Sequence, residues 1–148
     1  MENHTQEGYK MRKWAKLVLA VAAVAMLAGC SAKAGAPAAA AITLNIANTA
    51  YGTREITVEK GKTYQLVLEN QDVQLHDFSI DKIDAKVQEA KEEHGHDMGA
   101  KKPDLHISAD AGKTGTLTFT PNQQGTFTYY CSVEGHKEAG MSGKLIVK

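Results

Sequence analysis

Four residues of this chain have side chains that together suit a redox-active metal ion. Three of them, Cys131, His136 and Met141, follow one another with four residues between neighbours. This segment joins a strand-like run that ends at Cys131 to the last apolar run, so a short loop brings the three side chains to one end of the domain. Gly135 and Gly140 supply the backbone freedom that tight turns in such a loop need.

A second histidine, His76, lies 55 positions before Cys131 on a different predicted strand. It shares a face with Phe78 and Ile80, so we expect it to point inward, where an unpaired imidazole would be costly. One thiolate and two imidazoles, with a thioether as a weak further ligand, describe a type 1 copper site for electron transfer. Zinc gains little from a thioether and prefers a closed Cys/His tetrahedron or an open site with bound water.

Each of these residues also has a simpler interpretation. Cys131 alone could be a buried thiol, His76 a core histidine with ordinary partners, and Met141 a filler of the core. A Cys–His nucleophile is the enzymatic alternative, but nothing in the sequence marks an oxyanion hole or a third orienting group. The conjunction of all four residues favours a metal site, and we expect no catalytic activity.

A second group of metal-binding residue types, His94, His96 and Met98, has Glu92 and Glu93 beside it. It could form an accessory copper or zinc site that captures or delivers metal. The alternative is a solvated polar loop whose histidines bind nothing. We favour the solvated loop, because a short histidine-rich tract is only a compositional signal.

The elements that must position these residues are short strands. From Ile42 onward apolar and polar residues alternate with a period of two, and turn-forming residues separate the runs. This pattern predicts an all-β domain at residues 42–148, built as a sandwich or a barrel. Residues 81–104 break the pattern, because they are polar and rich in Lys, Glu and Ala. We expect an exposed insertion there with one or two helical turns.

Composition and charge restrict the class of protein. The 148 residues suit one domain, and the 17 basic residues balance the 17 acidic ones. No basic excess points to nucleic acid. Two cysteines exclude a disulfide-rich scaffold.

The N-terminal segment has the pattern of an export signal. Lys10, Arg12, Lys13 and Lys16 precede the apolar run at residues 17–27, which is too short to cross a bilayer comfortably. The sequence Leu-Ala-Gly-Cys that ends at Cys30 resembles a bacterial lipobox. We therefore predict a lipoprotein signal peptide at residues 1–29, with Met11 as an alternative start.

Cys30 would then carry a lipid after cleavage. The small residues that follow it predict a flexible tether at residues 30–41. We expect an exported bacterial lipoprotein, anchored to a membrane and facing the periplasm or the outside of the cytoplasmic membrane.

Residues 42–148 resemble the cupredoxin family, and most of all its small blue copper proteins of the auracyanin and plastocyanin type. The resemblance rests on the loop Cys131-x4-His136-x4-Met141, on the approach to it from Gly125, and on the run from Ala111 to Pro121.

The resemblance implies a Greek-key β-sandwich of about eight strands, one bound copper and one-electron carriage. By position it implies the ligands His76, Cys131, His136 and Met141. Many members have Asn after the first histidine, where this chain has Asp77, a difference that bears on the reduction potential.

Two functions remain open from the sequence. The first is a monomeric electron-transfer protein that exchanges electrons with respiratory or photosynthetic membrane complexes, with cytochromes or with reductases. The second is a copper-homeostasis protein that stores or delivers copper and also uses His94, His96 and Met98. Reversible reduction without loss of copper would distinguish them.

Overall fold

A computed structural model describes residues 38–93 and 102–148 of the chain. Within these two ranges no helix is long and apolar enough to cross a membrane. Predictions that lie outside them concern the signal peptide (1–29), the lipidated Cys30, most of the tether (31–37), and His94, His96 and Met98.

The described part of the chain contains ten strands and no helix. The strands are β1 (Ala40–Ala47), β2 (Ala50–Tyr51), β3 (Glu55–Val58), β4 (Tyr64–Asn70), β5 (His76–Ile80), β6 (Ala85–Lys91), β7 (Leu105–Ala109), β8 (Thr114–Pro121), β9 (Gly125–Tyr130) and β10 (Ser142–Val147). The all-β prediction is confirmed. Strand β2 has only two residues, and β6 belongs to the insertion. Without these two, the described residues contain eight strands, the number that the resemblance implied.

The strands form two five-stranded sheets. One has the order β2-β1-β4-β8-β6 and the other the order β3-β10-β9-β5-β7. Two pairs, β1 with β4 and β3 with β10, are parallel, and the other paired strands are antiparallel. The chain thus crosses repeatedly between the sheets, as Greek-key sandwiches do. Strand β1 begins at Ala40, two residues before the predicted start of the domain.

The core is built from the alternating apolar residues of both sheets. In the first sheet, Leu66 of β4 lies opposite Leu117 of β8, and Tyr64 lies opposite Phe119. All four side chains are buried. A period of two places such residues on one face of a strand, which is why the sequence pattern predicts the core.

The helical turns predicted for the insertion are wrong for its described part. Ala85–Lys91 is strand β6, which pairs antiparallel with β8 and has an irregularity between Val87 and Glu89. Helix propensity determines secondary structure only weakly. A helix formed by this segment would also bury only a thin apolar stripe. Pairing with the edge of β8 satisfies its backbone instead. Its charged side chains are typical of edge strands, which must avoid pairing with other chains.

Strand β5 lies between β7 and β9 in the second sheet, and all five of its residues are buried. Successive side chains of a strand point to opposite faces. His76 and Asp77 therefore point to different sides of the sheet, and both need partners, because buried polar groups without hydrogen bonds are costly.

Gly143 of β10 lies against the ring of Tyr129. A Cβ atom at this position would overlap that ring and lie 2.7 Å from the Arg54 carbonyl oxygen. We expect Gly143→Ala to lower the free energy of unfolding by about 3 kcal/mol through overpacking. Gly52→Ala is the matched control, because its nearest neighbour would be an ordinary 3.5 Å away. Denaturant unfolding of both variants measures the difference, and equal stabilities would contradict the prediction.

Candidate metal centre

The four predicted ligands lie at one end of the second sheet. His76 is the first residue of β5, and Cys131 directly follows β9. These strands are antiparallel neighbours, so the beginning of β5 and the end of β9 lie at the same end of the sheet. His136 lies in the loop between β9 and β10, and Met141 directly precedes β10.

The ligand atoms of three residues converge. Those of His76, Cys131 and His136 all lie within 4.8 Å of one another. The Cys131 Sγ atom is 3.8 Å from Nδ1 of His76 and 3.4 Å from Nδ1 of His136. His76 and Cys131 are buried, whereas His136 is half-buried. Both imidazoles thus present the same nitrogen, Nδ1, toward the thiol.

The ligand loop is held closed by its own backbone. The Cys131 N–H donates to the Met141 carbonyl at 3.1 Å, and the Met141 N–H donates to the His136 carbonyl at 2.9 Å. Gly135 and Gly140 have φ angles of 80° and 91°, which lie in the left-handed region that favours glycine. These contacts place buried Met141 beside both loop ligands, as the spacing of the three residues predicts.

The side chain of Asp77 lies on the face of β5 opposite to His76, and it connects β5 to the ligand loop. Its carboxylate accepts hydrogen bonds from the Ser132 N–H at 2.9 Å, from the Ser132 hydroxyl and from the Ser79 hydroxyl at 3.1 Å. Its own N–H lies 3.5 Å from the Cys131 sulfur and donates toward it. Asp77 is completely buried. This carboxylate therefore fixes Cys131 relative to His76.

Asp72 is a site residue that sequence reasoning missed. Its Oδ2 atom lies 3.3 Å from Nε2 of His76, the ring nitrogen that faces away from Cys131. In the sequence pattern Asp72 belongs only to the turn before β5. The one signal that could have found it is an acidic residue four positions before a candidate ligand, and that spacing is common in proteins without a metal site.

The accessory group of residues near His94 lies outside the described residues, but its two acidic neighbours are described. Glu92 accepts a hydrogen bond from the Ser108 N–H at 2.9 Å, and Glu93 forms an ion pair with Lys113 at 3.3 Å. Both carboxylates thus have partners within the domain.

The surroundings of the site favour a neutral His76 imidazole and a protonated Cys131 thiol. The thiol would lose its proton on binding a metal. Burial, and then the neighbouring His136, lowers the pKa of His76, which favours the neutral form that binds metals. Burial, and then the charge of Asp77, raises the pKa of Cys131 to about 11. Without a cation the thiolate is therefore unfavourable here.

We expect the Cys131 thiol of the copper-free protein to keep its proton to unusually high pH. The raised pKa of Cys131 means that the thiolate forms around pH 11, not near the ordinary value of 9.0. Ultraviolet thiolate absorbance, taken as the difference between the wild-type protein and Cys131→Ser, measures this titration. A midpoint near 9 would contradict the prediction.

The fold and the donor set define a class of protein. Residues 18–147 match the family model of the cupredoxin-like domain, and the chain belongs to this family. The family and the converging set of one thiol and two imidazoles, with Met141 beside it, indicate one copper ion as the cofactor. The residues whose positions would allow them to hold it are His76, Cys131, His136 and Met141.

One curated relative is the copper-resistant cuproprotein CopI of Rubrivivax gelatinosus. It is 31% identical over 94 residues, which are 63% of this chain and 56% of that protein. The chain thus spans little more than half the length of this relative.

Solved structures of auracyanins share the fold. Auracyanin B is 22% identical with a TM-score of 0.57, over 74% of this chain and 89% of that one. Auracyanin A, a blue copper protein of Chloroflexus aurantiacus, is 21% identical with a TM-score of 0.57, over 75% of this chain and 100% of that one. At such identities the likeness establishes the fold.

Proposed function

We propose that this protein carries one electron at a time through a type 1 copper site. The observation that supports the proposal is the convergence of one thiol and two imidazoles within 4.8 Å. Copper bound to such donors supplies a reversible Cu(I)/Cu(II) couple. The proposal assigns no catalytic activity to the chain.

The protein's own contribution is a donor set held by contacts that do not involve the ion. Cys131 is fixed by a backbone hydrogen bond to Met141 and by the Asp77 network, and His76 is fixed by Asp72. Because these side chains are already in place, little rearrangement accompanies a change of oxidation state. A site with these properties suits rapid electron transfer.

His136 provides the route by which electrons leave in this proposal. It is half-buried and its loop neighbours from Lys137 to Gly140 are exposed, whereas His76 and Cys131 are inaccessible. A partner that docks on this loop comes closest to the site through the His136 ring.

We expect Ala139→Glu to slow electron self-exchange between oxidised and reduced copies by several-fold, because like charges then face each other at the docking loop. NMR line broadening in mixtures of the two forms measures the rate. Val87→Glu on β6 is the matched control at another exposed apolar residue. An unchanged rate in the Ala139→Glu variant would exclude this loop as the docking surface.

We also propose that the protein works outside the cytoplasmic membrane, anchored by a lipid on Cys30. The lipobox-like sequence before Cys30 supports this placement. Its partners would be respiratory or photosynthetic complexes, cytochromes or reductases. Cys30→Ser is expected to move the protein from the membrane to the soluble fraction of producing cells, and persistence in the membrane fraction would contradict the anchor.

A role in copper homeostasis is the second candidate. It is favoured by the similarity to CopI, a relative whose name records copper resistance. A protein that stores or delivers copper would release the ion to a competitor under some cellular condition, and reduction to Cu(I) is the natural one.

The two functions differ in what happens to copper on reduction. Adding Cu(II) to the purified protein is expected to produce a strong visible thiolate-to-copper absorption. Reduction in the presence of a Cu(I) chelator should abolish the colour, and reoxidation should restore it with one copper per chain still bound. Transfer of the copper to the chelator would support homeostasis and contradict the carrier function.

A further inference from the structure

We propose that Asp72 is a positioning residue for His76, whose carboxylate fixes the tautomer of this imidazole and lowers the reduction potential of the site. The inference rests on the proposed function, because it adds a residue to the same copper site. Three observations support it: the contact itself, the way in which Asp72 is held, and the conformation of the turn that holds it.

The contact assigns different roles to the two ring nitrogens. Nε2 of His76 lies 3.3 Å from the Asp72 carboxylate, and Nδ1 lies 3.8 Å from the Cys131 sulfur. An ionised carboxylate can only accept a hydrogen bond, so Nε2 carries the proton. The lone pair of Nδ1 is then directed into the metal site, where it can bind copper.

Asp72 is itself held by backbone groups. Oδ2 accepts a hydrogen bond from the Thr49 N–H at 2.7 Å, and Oδ1 accepts one from the Val73 N–H at 3.3 Å. The Asp72 N–H donates to the buried side chain of Asn70 at 2.9 Å. Both oxygens of the carboxylate thus accept backbone N–H groups, which fix the side chain in place.

The turn that supplies the Thr49 N–H has an unusual backbone. Asn48 and Thr49 connect β1 to β2 with φ angles of 54° and 55°. A β-branched residue rarely adopts positive φ, and such strain persists only where the surroundings impose it. Here this backbone conformation directs the Thr49 N–H toward Asp72, and the Thr49 hydroxyl accepts a hydrogen bond from the Gln74 side chain at 3.2 Å. The β1–β2 turn is therefore fastened to the segment that precedes His76.

The carboxylate has two consequences for the site. The negative charge of the Asp72 carboxylate beside Nε2 makes Nδ1 a stronger donor, which stabilises Cu(II) more than Cu(I) and so lowers the reduction potential. The hydrogen bond also keeps the ring oriented when copper is absent. The first consequence depends on charge and the second on hydrogen bonding, so different substitutions separate them.

The test compares three variants of the full chain. Asp72→Ala removes both charge and acceptor, and we expect Cu(II) affinity to fall by about 10–100-fold. If Cu(I) affinity is unchanged, each tenfold loss raises the potential by about 59 mV. Asp72→Asn removes the charge but keeps an acceptor oxygen, so it should raise the potential about as much as Asp72→Ala while keeping the orientation of the ring. Asp104→Asn is the control, because Asp104 also accepts from a backbone N–H, that of Ile83, and lies near the opposite end of β5.

The tautomer is measured without copper. Nitrogen NMR of the copper-free protein should show His76 protonated at Nε2 alone, and Asp72→Ala should give a mixture of tautomers. A potential and a tautomer that match Asp104→Asn would overturn the role of Asp72. Failure of the wild-type protein to form a blue, reversible site would overturn the proposed function, whereas a blue wild type with unaffected Asp72 variants would overturn this inference alone.

Discussion

A Cys131→Ser variant is expected to stay colourless when Cu(II) is added. The visible band requires a thiolate donor, and the hydroxyl of serine does not replace the soft sulfur that holds both oxidation states. Copper affinity should fall by more than the ~100-fold that loss of an outer partner typically costs. Visible absorption and competition with a Cu(I) chelator measure the two effects.

Met141→Leu is the matched control for this experiment. Met141 is as buried as Cys131, and leucine conserves its volume approximately. The three strong donors remain, so this variant should stay blue with a changed reduction potential. A coloured serine variant, or a colourless leucine variant, would contradict the assignment of the thiolate as the principal donor.

Asp77→Ala should strongly destabilise the copper-free protein. The substitution leaves three donors at Ser132 and Ser79 without the carboxylate that accepts from them. Lost partners in a buried site cost ~1–3 kcal/mol each, so we expect the free energy of unfolding to fall by about 3 kcal/mol or more. Denaturant unfolding without copper measures this, since bound metal would mask the loss. A loss below ~1 kcal/mol would contradict the role of Asp77 in holding the ligand loop.

Asp77→Asn separates the charge of this residue from its hydrogen bonds. The amide oxygen still accepts from the Ser132 N–H, so stability should change little. The negative charge of Asp77 acts on Cys131, where it contributes to the raised pKa of the thiol. Its removal should favour Cu(I) and raise the reduction potential by on the order of tens of millivolts. An unchanged potential would show that the carboxylate has no electrostatic influence on the site, and a lower potential would contradict the predicted sign.

The fold and the convergence of the donors can be predicted from the sequence because both depend on local patterns. Alternating apolar residues place Leu66 and Leu117 in the core, and the spacing of Cys131, His136 and Met141 confines them to one loop. His76 joins them because it lies on the inward face of a separate strand. Each of these inferences needs only the period of a strand or the reach of a short loop.

The remaining features depend on contacts between distant segments. Asp77 finds its partner Ser132 55 residues away, and Asp72 is aimed at His76 by the conformation of a turn around Thr49. Strand β6 forms because β8 offers it a free edge, which no local propensity encodes. Such contacts follow from the folded arrangement and leave only weak signals in a single sequence.

The central claim is that His76, Cys131, His136 and Met141 close around one copper ion. A crystal structure of the copper-loaded protein, with anomalous scattering recorded at the copper absorption edge, tests it most directly. We predict one strong anomalous peak per chain, within bonding distance of the Cys131 sulfur and of Nδ1 of both histidines. A peak elsewhere, such as beside His94 and His96 alone, or no peak at this position, would contradict the claim.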